Sequence, residues 1–157
     1  MSRIPASAAP DPARLRTLGD WMSHAERRFA SAGLWFGHGV HSARDESAWL
    51  IASVTGVAHE QLAGSLARAA NGRERRRLAR IIEARVRTRR PLAYLLREAW
   101  LGDCRFYVDP RVIVPRSYIA ELLDGRLRPW LSRPAAVHRV LDLCTGSGCL
   151  AVLLARA

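Results

Sequence analysis

A short apolar segment followed by a glycine-rich turn constrains the fold more than any other feature of the chain. Residues 139–155 read Arg-Val-Leu-Asp-Leu-Cys-Thr-Gly-Ser-Gly-Cys-Leu-Ala-Val-Leu-Leu-Ala. This order predicts a strand, a tight turn and a helix, the opening βα unit of a doubly wound α/β fold. A parallel strand needs neighbouring strands and helices on both faces, so the unit cannot be a domain by itself. We therefore expect residues 115–157 to begin an α/β domain that this chain leaves incomplete.

The chain before this unit is predicted to be helical. Apolar residues recur every three or four positions in residues 15–29 and 74–89, the pattern of amphipathic helices. Ser42 followed by Asp45 resembles a capping box that opens a further helix. The residues expected to face inward are Leu15, Leu18, Met22, Ala25, Phe29, Ala48, Trp49, Ile51, Leu78, Ile81, Ile82 and Val86. Residues 13–92 are thus expected to form a small helical domain.

Different patterns flank this helical domain. Residues 1–12 are rich in Ala, Pro and Ser and are expected to form a disordered leader. Residues 93–114 carry an apolar run from position 99 onward that is interrupted by Gly102-Asp103, which predicts a β-hairpin linker. Ser117 is then expected to cap a helix that places on one face Ile119, Leu122, Leu123 and Leu127.

The charge of the chain leaves two interpretations open. The formal net charge is +11, all 25 basic residues are arginine, and nine of them lie in residues 73–90. Clustered cations gain affinity for phosphate by releasing counterions, so a weak contact with ribosomal RNA is one interpretation. The use of arginine alone favours the other, a codon bias that places arginines on a solvated helix face.

Composition argues against a membrane span, a disulfide framework and a metal site. No apolar run approaches the roughly 20 residues of a membrane span, so we expect a cytoplasmic protein. The cysteines lack zinc-ligand spacing and are expected to be reduced thiols: Cys104, Cys144 and Cys149. His38 and His41 with Asp45 could be imagined as metal ligands, but a capped loop explains this segment without a metal.

The turn at residues 142–148 has the features of a cofactor site. Two glycines allow a tight turn against a ligand, and the following helix offers free N–H groups, which suits a dinucleotide or S-adenosylmethionine. An acid at the end of the strand, and Cys144 in place of the first dinucleotide glycine, favour the methyl donor, because a carboxylate repels pyrophosphate. A turn without a ligand is the alternative. The expected S-adenosylmethionine-binding residues are Asp142, Cys144, Thr145, Gly146, Ser147 and Gly148.

Together with three other segments, this turn carries a resemblance to a known family. The segments are Val114-Pro-Arg-Ser-Tyr-Ile-Ala-Glu-Leu122, Gly37-His-Gly39 and Arg44-Asp-Glu46, and the chain resembles the ribosomal protein L3 N5-glutamine methyltransferases. The related release-factor glutamine methyltransferases usually have Pro-Arg-Pro-Glu-Thr-Glu and a glycine in place of Cys144, so the resemblance points to the ribosomal branch. It implies a helical substrate-recognition domain, the β-hairpin linker, and the first βα unit of a truncated Rossmann-like, class I methyltransferase domain.

The resemblance also implies a reaction, the methylation of a glutamine side chain in ribosomal protein L3. The family's Asn-Pro-Pro-Tyr motif, which would grip the reacting amide, is absent, so we expect no catalytic residue in this chain and no activity from it alone. Tyr118 stands where the family commonly has proline. Two other functions stay open: a non-enzymatic arginine-rich module that binds a ribosomal component, and membership of the release-factor branch.

Overall fold

The computed structural model describes residues 14–156 except residues 38, 126, 128 and 129, and describes only the main chain of Asp124. The chain divides into two compact units, one ending at Leu96 and one beginning at Arg97. The helices of the first unit are α1 Leu18–Ser31, α2 Ala43–Thr55, α3 Leu62–Ser65, α4 Gly72–Thr88 and α5 Leu92–Leu96. The second unit contains β1 Ala99–Leu101, β2 Cys104–Phe106, α6 Tyr118–Asp124 and α7 Cys149–Arg156. The predicted leader, residues 1–12, lies outside the described residues.

Helix α1 begins at a reciprocal cap formed by Thr17 and Asp20. The Asp20 N–H donates to Thr17 Oγ1 at 3.1 Å, and the Thr17 N–H donates to the Asp20 carboxylate at 2.8 Å. This capping box satisfies two main-chain donors that the helix cannot satisfy itself. The predicted start at Leu15 was therefore three residues early, although Leu15 is buried.

The ends of α2 follow the sequence prediction closely. Ser42 Oγ accepts a hydrogen bond from the Asp45 N–H at 3.1 Å, which confirms the predicted cap. The Asp45 carboxylate accepts from the His41 N–H at 3.3 Å, so the return bond of a capping box to Ser42 is not made. Gly56 ends the helix with φ of +73°, a conformation that glycine adopts without steric cost.

Helix α4 is longer than the sequence pattern indicated. Asn71 Oδ1 accepts from the N–H groups of Arg73 and Glu74, both at 2.9 Å, and Glu74 accepts from the Asn71 N–H. This capping box starts the helix at Gly72, two residues before the predicted start. Pro91 follows the helix, as expected of a residue that cannot continue it.

The core of the first unit is built mainly from α1, α2 and α4. Of the residues expected to face inward, Met22, Ala48, Trp49 and Val86 are only half-buried, and the others are buried. Short helices add buried side chains that periodicity did not predict: Leu62, Leu92 and Leu96. The helical character expected before the hairpin is confirmed within the described residues and extends to the end of α5.

The hairpin of the second unit confirms the predicted strand pairing. Strands β1 and β2 are antiparallel, with Ala99 opposite Phe106, and Gly102 lies at the turn with φ of +58°. The hairpin occupies a smaller part of residues 93–114 than expected, because α5 includes the first four of them. A small apolar cluster within this unit contains Leu101, Phe106, Ala120, Cys149, Leu150 and Leu153.

The strand predicted in residues 139–143 is not formed, so that expectation is wrong for this structure. Val140, Leu141 and Leu143 are 59%, 79% and 75% exposed. A parallel strand gains its hydrogen bonds only from a neighbour, and the described part of the chain offers none at this position. The helix expected after the turn is present as α7.

Helix α6 follows its predicted cap but not its predicted face. Ser117 Oγ accepts from the Ile119 N–H at 3.1 Å. The helix ends at Asp124, so Leu127 lies beyond it, and the buried side chains are Ala120 and Leu123. Two residues of the predicted buried face, Ile119 and Leu122, are exposed.

Candidate cofactor site

The predicted cofactor-binding residues form a turn with three left-handed backbone conformations. Cys144, Gly146 and Gly148 have φ of +58°, +57° and +77°. The Gly148 N–H donates to the Thr145 carbonyl oxygen at 2.9 Å, which closes the turn. The Gly148 carbonyl oxygen accepts from the Val152 N–H at 3.0 Å, so the turn leads directly into α7. All six predicted residues therefore lie on this turn or just before it.

Asp142 presents an unpaired oxygen at the start of the turn. Its Oδ2 is buried and has no hydrogen-bond partner among the described residues, although the residue as a whole is only half-buried. A buried polar atom without a partner is unfavourable, and such atoms are uncommon in folded proteins. The oxygen is suited to accept a hydrogen bond from a ligand or to face a cation.

The two glycines of the turn are explained by backbone conformation, not by crowding. A Cβ added at Gly146 would meet no atom within 4 Å, and one added at Gly148 would meet only Thr145 Oγ1 at 3.9 Å. Both residues have a positive φ, which side chains disfavour. The space beside Gly146 is open, so a ligand could lie directly against the main chain there.

Cys144 adopts a conformation that favours glycine. It is exposed, and its φ of +58° is unusual for any residue with a Cβ. The resemblance implies a glycine at this position in the release-factor branch, and glycine adopts this backbone conformation readily. Cys149 differs, because it is buried in the apolar cluster and its Sγ lies 3.0 Å from Ser147 Oγ.

The polar groups of the turn are chemically suited to the ammonium group at the methionine end of S-adenosylmethionine. An unpaired carboxylate oxygen can hold an ammonium group, and the glycine turn leaves the main chain open. The first N–H groups of α7 have no partners within the helix, as in any α-helix. Within residues 14–156, apart from the few that are not described, no cluster of three or more potential metal ligands occurs.

A buried ion pair in the first unit was not predicted. Arg85 donates to both oxygens of Glu46, from Nε at 2.5 Å and from Nη2 at 3.2 Å, and both side chains are almost fully buried. Arg85 also donates to the carbonyl oxygens of Trp35 and Arg89. Glu46 ends the Arg-Asp-Glu segment of the family resemblance, which was the only signal that could have drawn attention to it. The contacts are those of a structural element that holds the loop after α1.

That loop is held a second time by Arg89, just after α4. Its guanidinium donates to the carbonyl oxygens of Ala32 and Gly33 at 3.0 Å and 2.6 Å. The loop nevertheless leaves Trp35 84% exposed. The His41 N–H donates to the Asp45 carboxylate in the next helix cap, and His38 lies outside the described residues.

Comparison with known proteins places the first unit in a described class. Residues 20–96 match the family model described as the PrmC N-terminal domain, and the match ends at the same residue as the first unit. No solved structure matches the chain significantly. Among the described residues, no helix is both long and apolar enough to cross a membrane.

Curated proteins of similar sequence identify the family more specifically. The ribosomal protein uL3 glutamine methyltransferase of Neisseria meningitidis serogroup B is 46% identical over 141 residues, which cover 90% of this chain and 46% of the relative. The protein of the same name from Bordetella pertussis is 47% identical over 143 residues, 91% of this chain and 48% of the relative. That from Xanthomonas campestris is 40% identical over 149 residues, 94% of this chain and 47% of the relative. The chain therefore belongs to the family of the ribosomal protein uL3 glutamine methyltransferases, and it spans about half the length of the curated relatives it matches.

Proposed function

We propose that this protein takes part in the S-adenosylmethionine-dependent N5-methylation of a glutamine side chain in ribosomal protein L3. The observation that carries the proposal is an identity of 46–47% over about nine tenths of the chain to proteins named for this substrate. The release-factor branch is the less favoured assignment, because the relatives named above are called uL3 methyltransferases. A ribosomal substrate also favours a cytoplasmic location.

The turn at residues 142–148 is the proposed binding site for S-adenosylmethionine, which when bound supplies a methyl group on a positively charged sulfur. Asp142 would hold the ammonium of the methionine end through its unpaired Oδ2. Gly146 would leave room for the ligand beside the main chain. The truncated Rossmann-like domain of the proposal would gain its central strand, residues 139–143, only when further strands pair with it.

The reaction of a glutamine side chain sets a chemical requirement of its own. A carboxamide nitrogen is a poor nucleophile because its lone pair is delocalised. An enzyme must therefore hold it in line with the methyl group and accept its N–H bonds with fixed oxygen atoms. We propose that such acceptors lie outside these 157 residues and that the chain alone is inactive. The first unit would contribute recognition of the protein substrate.

A chimera tests the proposal directly. Residues 1–157 would be joined to the part of the Neisseria meningitidis relative that lies beyond its match to this chain. The chimera should transfer labelled methyl groups from S-adenosylmethionine to a glutamine of purified ribosomal protein L3, and the chain alone should not. A folded chimera that binds S-adenosylmethionine but leaves L3 unlabelled would contradict the assigned substrate, and labelling by the chain alone would contradict its inactivity.

A further inference from the structure

Helix α4 carries a row of arginines on the face opposite the core. The buried residues Leu78, Ile81 and Ile82 define the inner face of the helix. The outer face bears five arginines that recur at three-, four- and seven-residue spacing, which we call the arginine stripe: Arg73, Arg76, Arg77, Arg80 and Arg87. Four of the five are exposed and Arg77 is half-buried. At a rise of 1.5 Å per residue, the stripe is about 21 Å long.

The acidic residues of α4 do not compensate the charge of the stripe. Glu74 accepts from Arg68 at 2.9 Å and from the main chain of Asn71. Glu83 accepts from Arg28 at 2.9 Å. Both carboxylates are thus engaged by groups outside α4, and within the described part of the chain no carboxylate forms an ion pair with a stripe arginine.

The stripe is consequently a set of like charges that repel one another. Positions 73 and 76, 73 and 77, 76 and 80, and 77 and 80 are three or four residues apart, the spacing at which helix side chains meet. Two nearby arginines differ from the stripe: Arg85 of the same helix binds Glu46, and Arg89, the residue after the helix, binds two carbonyl groups. A linear polyanion would relieve the repulsion along the whole stripe.

The side-chain chemistry of the stripe favours a nucleic acid over a membrane surface as its partner. The large apolar side chains of α4 are buried in the core of the first unit or packed against it, so the stripe face offers a membrane no apolar side chain to insert. Guanidinium groups match phosphate oxygens in a two-bond geometry, and a nucleic acid presents phosphates at regular intervals along a line. We propose that the arginine stripe binds the phosphodiester backbone of RNA. The choice of RNA over DNA rests on the proposed function, because a ribosomal substrate is found beside RNA.

A matched pair of variants tests the proposal on the 157-residue chain. One variant carries R73Q, R76Q and R80Q in the stripe. The control carries R14Q, R16Q and R44Q, which remove the same charge from exposed arginines outside α4. Fluorescence anisotropy would follow binding to an RNA duplex of about 16 base pairs between about 50 and 200 mM salt. Polyglutamate and a DNA duplex of equal length would be compared, and thermal unfolding would confirm that both variants are folded.

The expected result is a selective loss in the stripe variant. Its affinity for RNA at the lowest salt should fall at least about tenfold, and the slope of log affinity against log salt should become shallower by about 2 to 3. The control variant should retain the slope and most of the affinity. An equal loss in the control, or no binding of RNA at about 50 mM salt, would overturn the proposal.

The remaining outcomes separate the choice of partner from the proposed function. Polyglutamate that binds as tightly as RNA would replace a nucleic acid with an acidic protein as the partner and overturn the proposal. A DNA duplex is expected to bind with similar affinity, because the stripe contacts phosphates that both nucleic acids carry, whereas markedly tighter binding of DNA than of RNA would overturn the assignment to RNA. Methyl transfer by the chimera to free L3 does not depend on the stripe. A failure of RNA binding would therefore not contradict the proposed function. A failure of methyl transfer would not contradict the proposed role of the stripe, which anisotropy tests separately.

Discussion

The carboxylate of Glu46 and the guanidinium of Arg85, which lie 39 residues apart in the sequence, form a buried ion pair that joins α2 to α4. Removal of one partner leaves an uncompensated charge in the core, so E46A should lower the free energy of unfolding by about 3–5 kcal/mol in urea titrations. The matched control is E83A, which removes an exposed ion pair with Arg28 and should cost under about 1 kcal/mol. Equal decreases in the free energy of unfolding of the two variants would show that the buried ion pair contributes no more than the exposed one.

The stability of the first unit should fall as the pH is lowered through the range in which histidine titrates. His24 is buried, its Nδ1 has no partner in the described chain, and its ring meets Trp21 edge-on. Burial, followed by the charges of Arg28 and Arg27, lowers the pKa of His24 below its ordinary value of 6.5. The unfolded chain therefore binds this proton more readily than the folded chain, so the stabilisation is complete above pH 6.5 and is lost as pH falls below it.

The pH effect can be assigned to His24 with one substitution. Urea titrations of the parent protein between about pH 7 and pH 5 should show a decreasing free energy of unfolding, and H24L should flatten that dependence. The lowered pKa of Asp20, caused by hydrogen bonds from the main chain of Thr17 and Arg16, acts only below the ordinary aspartate value of 3.8 and leaves this window unaffected. An unchanged pH dependence in H24L would rule out the assignment.

Replacing Cys144 with glycine should stabilise the turn. The left-handed conformation costs a residue with a Cβ roughly 1–2 kcal/mol, and glycine avoids most of that cost. Hydrogen exchange of the Gly148 and Val152 amides is the suitable measurement, because these groups donate within the turn and at the start of α7. Slower exchange is expected in C144G and faster exchange in G146A, where a Cβ is introduced at positive φ; the same rate in all three proteins would refute the conformational argument.

Binding of S-adenosylmethionine to the chimera should depend on the turn. Isothermal titration calorimetry should show that G146V and D142A each weaken binding by well over about tenfold, since the first fills the space beside the main chain and the second removes the unpaired oxygen. Gly64 lies in α3 and a Cβ there would also meet no atom within 4 Å, so G64A is the control and should bind normally. Unchanged affinity in D142A would remove the assigned role of this carboxylate.

The helices could be predicted where periodicity and caps agree over several turns. Apolar spacing identified α1 and α4, and Ser42 was recognised as the cap that opens α2. The short helices α3 and α5, of four and five residues, were missed because one turn is too short to show a period. The caps Thr17 and Asn71 were available in the sequence, and recognising them would have corrected both helix starts.

What depends on partners distant in sequence could not be predicted. Glu46 and Arg85 are residue types usually assigned to solvent, and only the packing of α2 against α4 makes their burial understandable. The strand in residues 139–143 has the correct composition, yet its hydrogen bonds must come from strands that the described chain does not provide. The turn after it was predicted because glycine spacing is a local signal.

The exposed leucines at positions 141 and 143 are synthesised well after the core of the first unit. Every residue of the first unit's core has been made once translation passes Leu96, whereas Val140 is still 44 positions away. At roughly 5–20 residues per second, the ribosome needs about 2–9 s to cover that distance, far longer than a small helical domain takes to fold. The apolar segment at residues 140–143 therefore leaves the exit tunnel after the core of the first unit has been buried by folding. The apolar residues of the core and those of this segment are then not exposed at the same time.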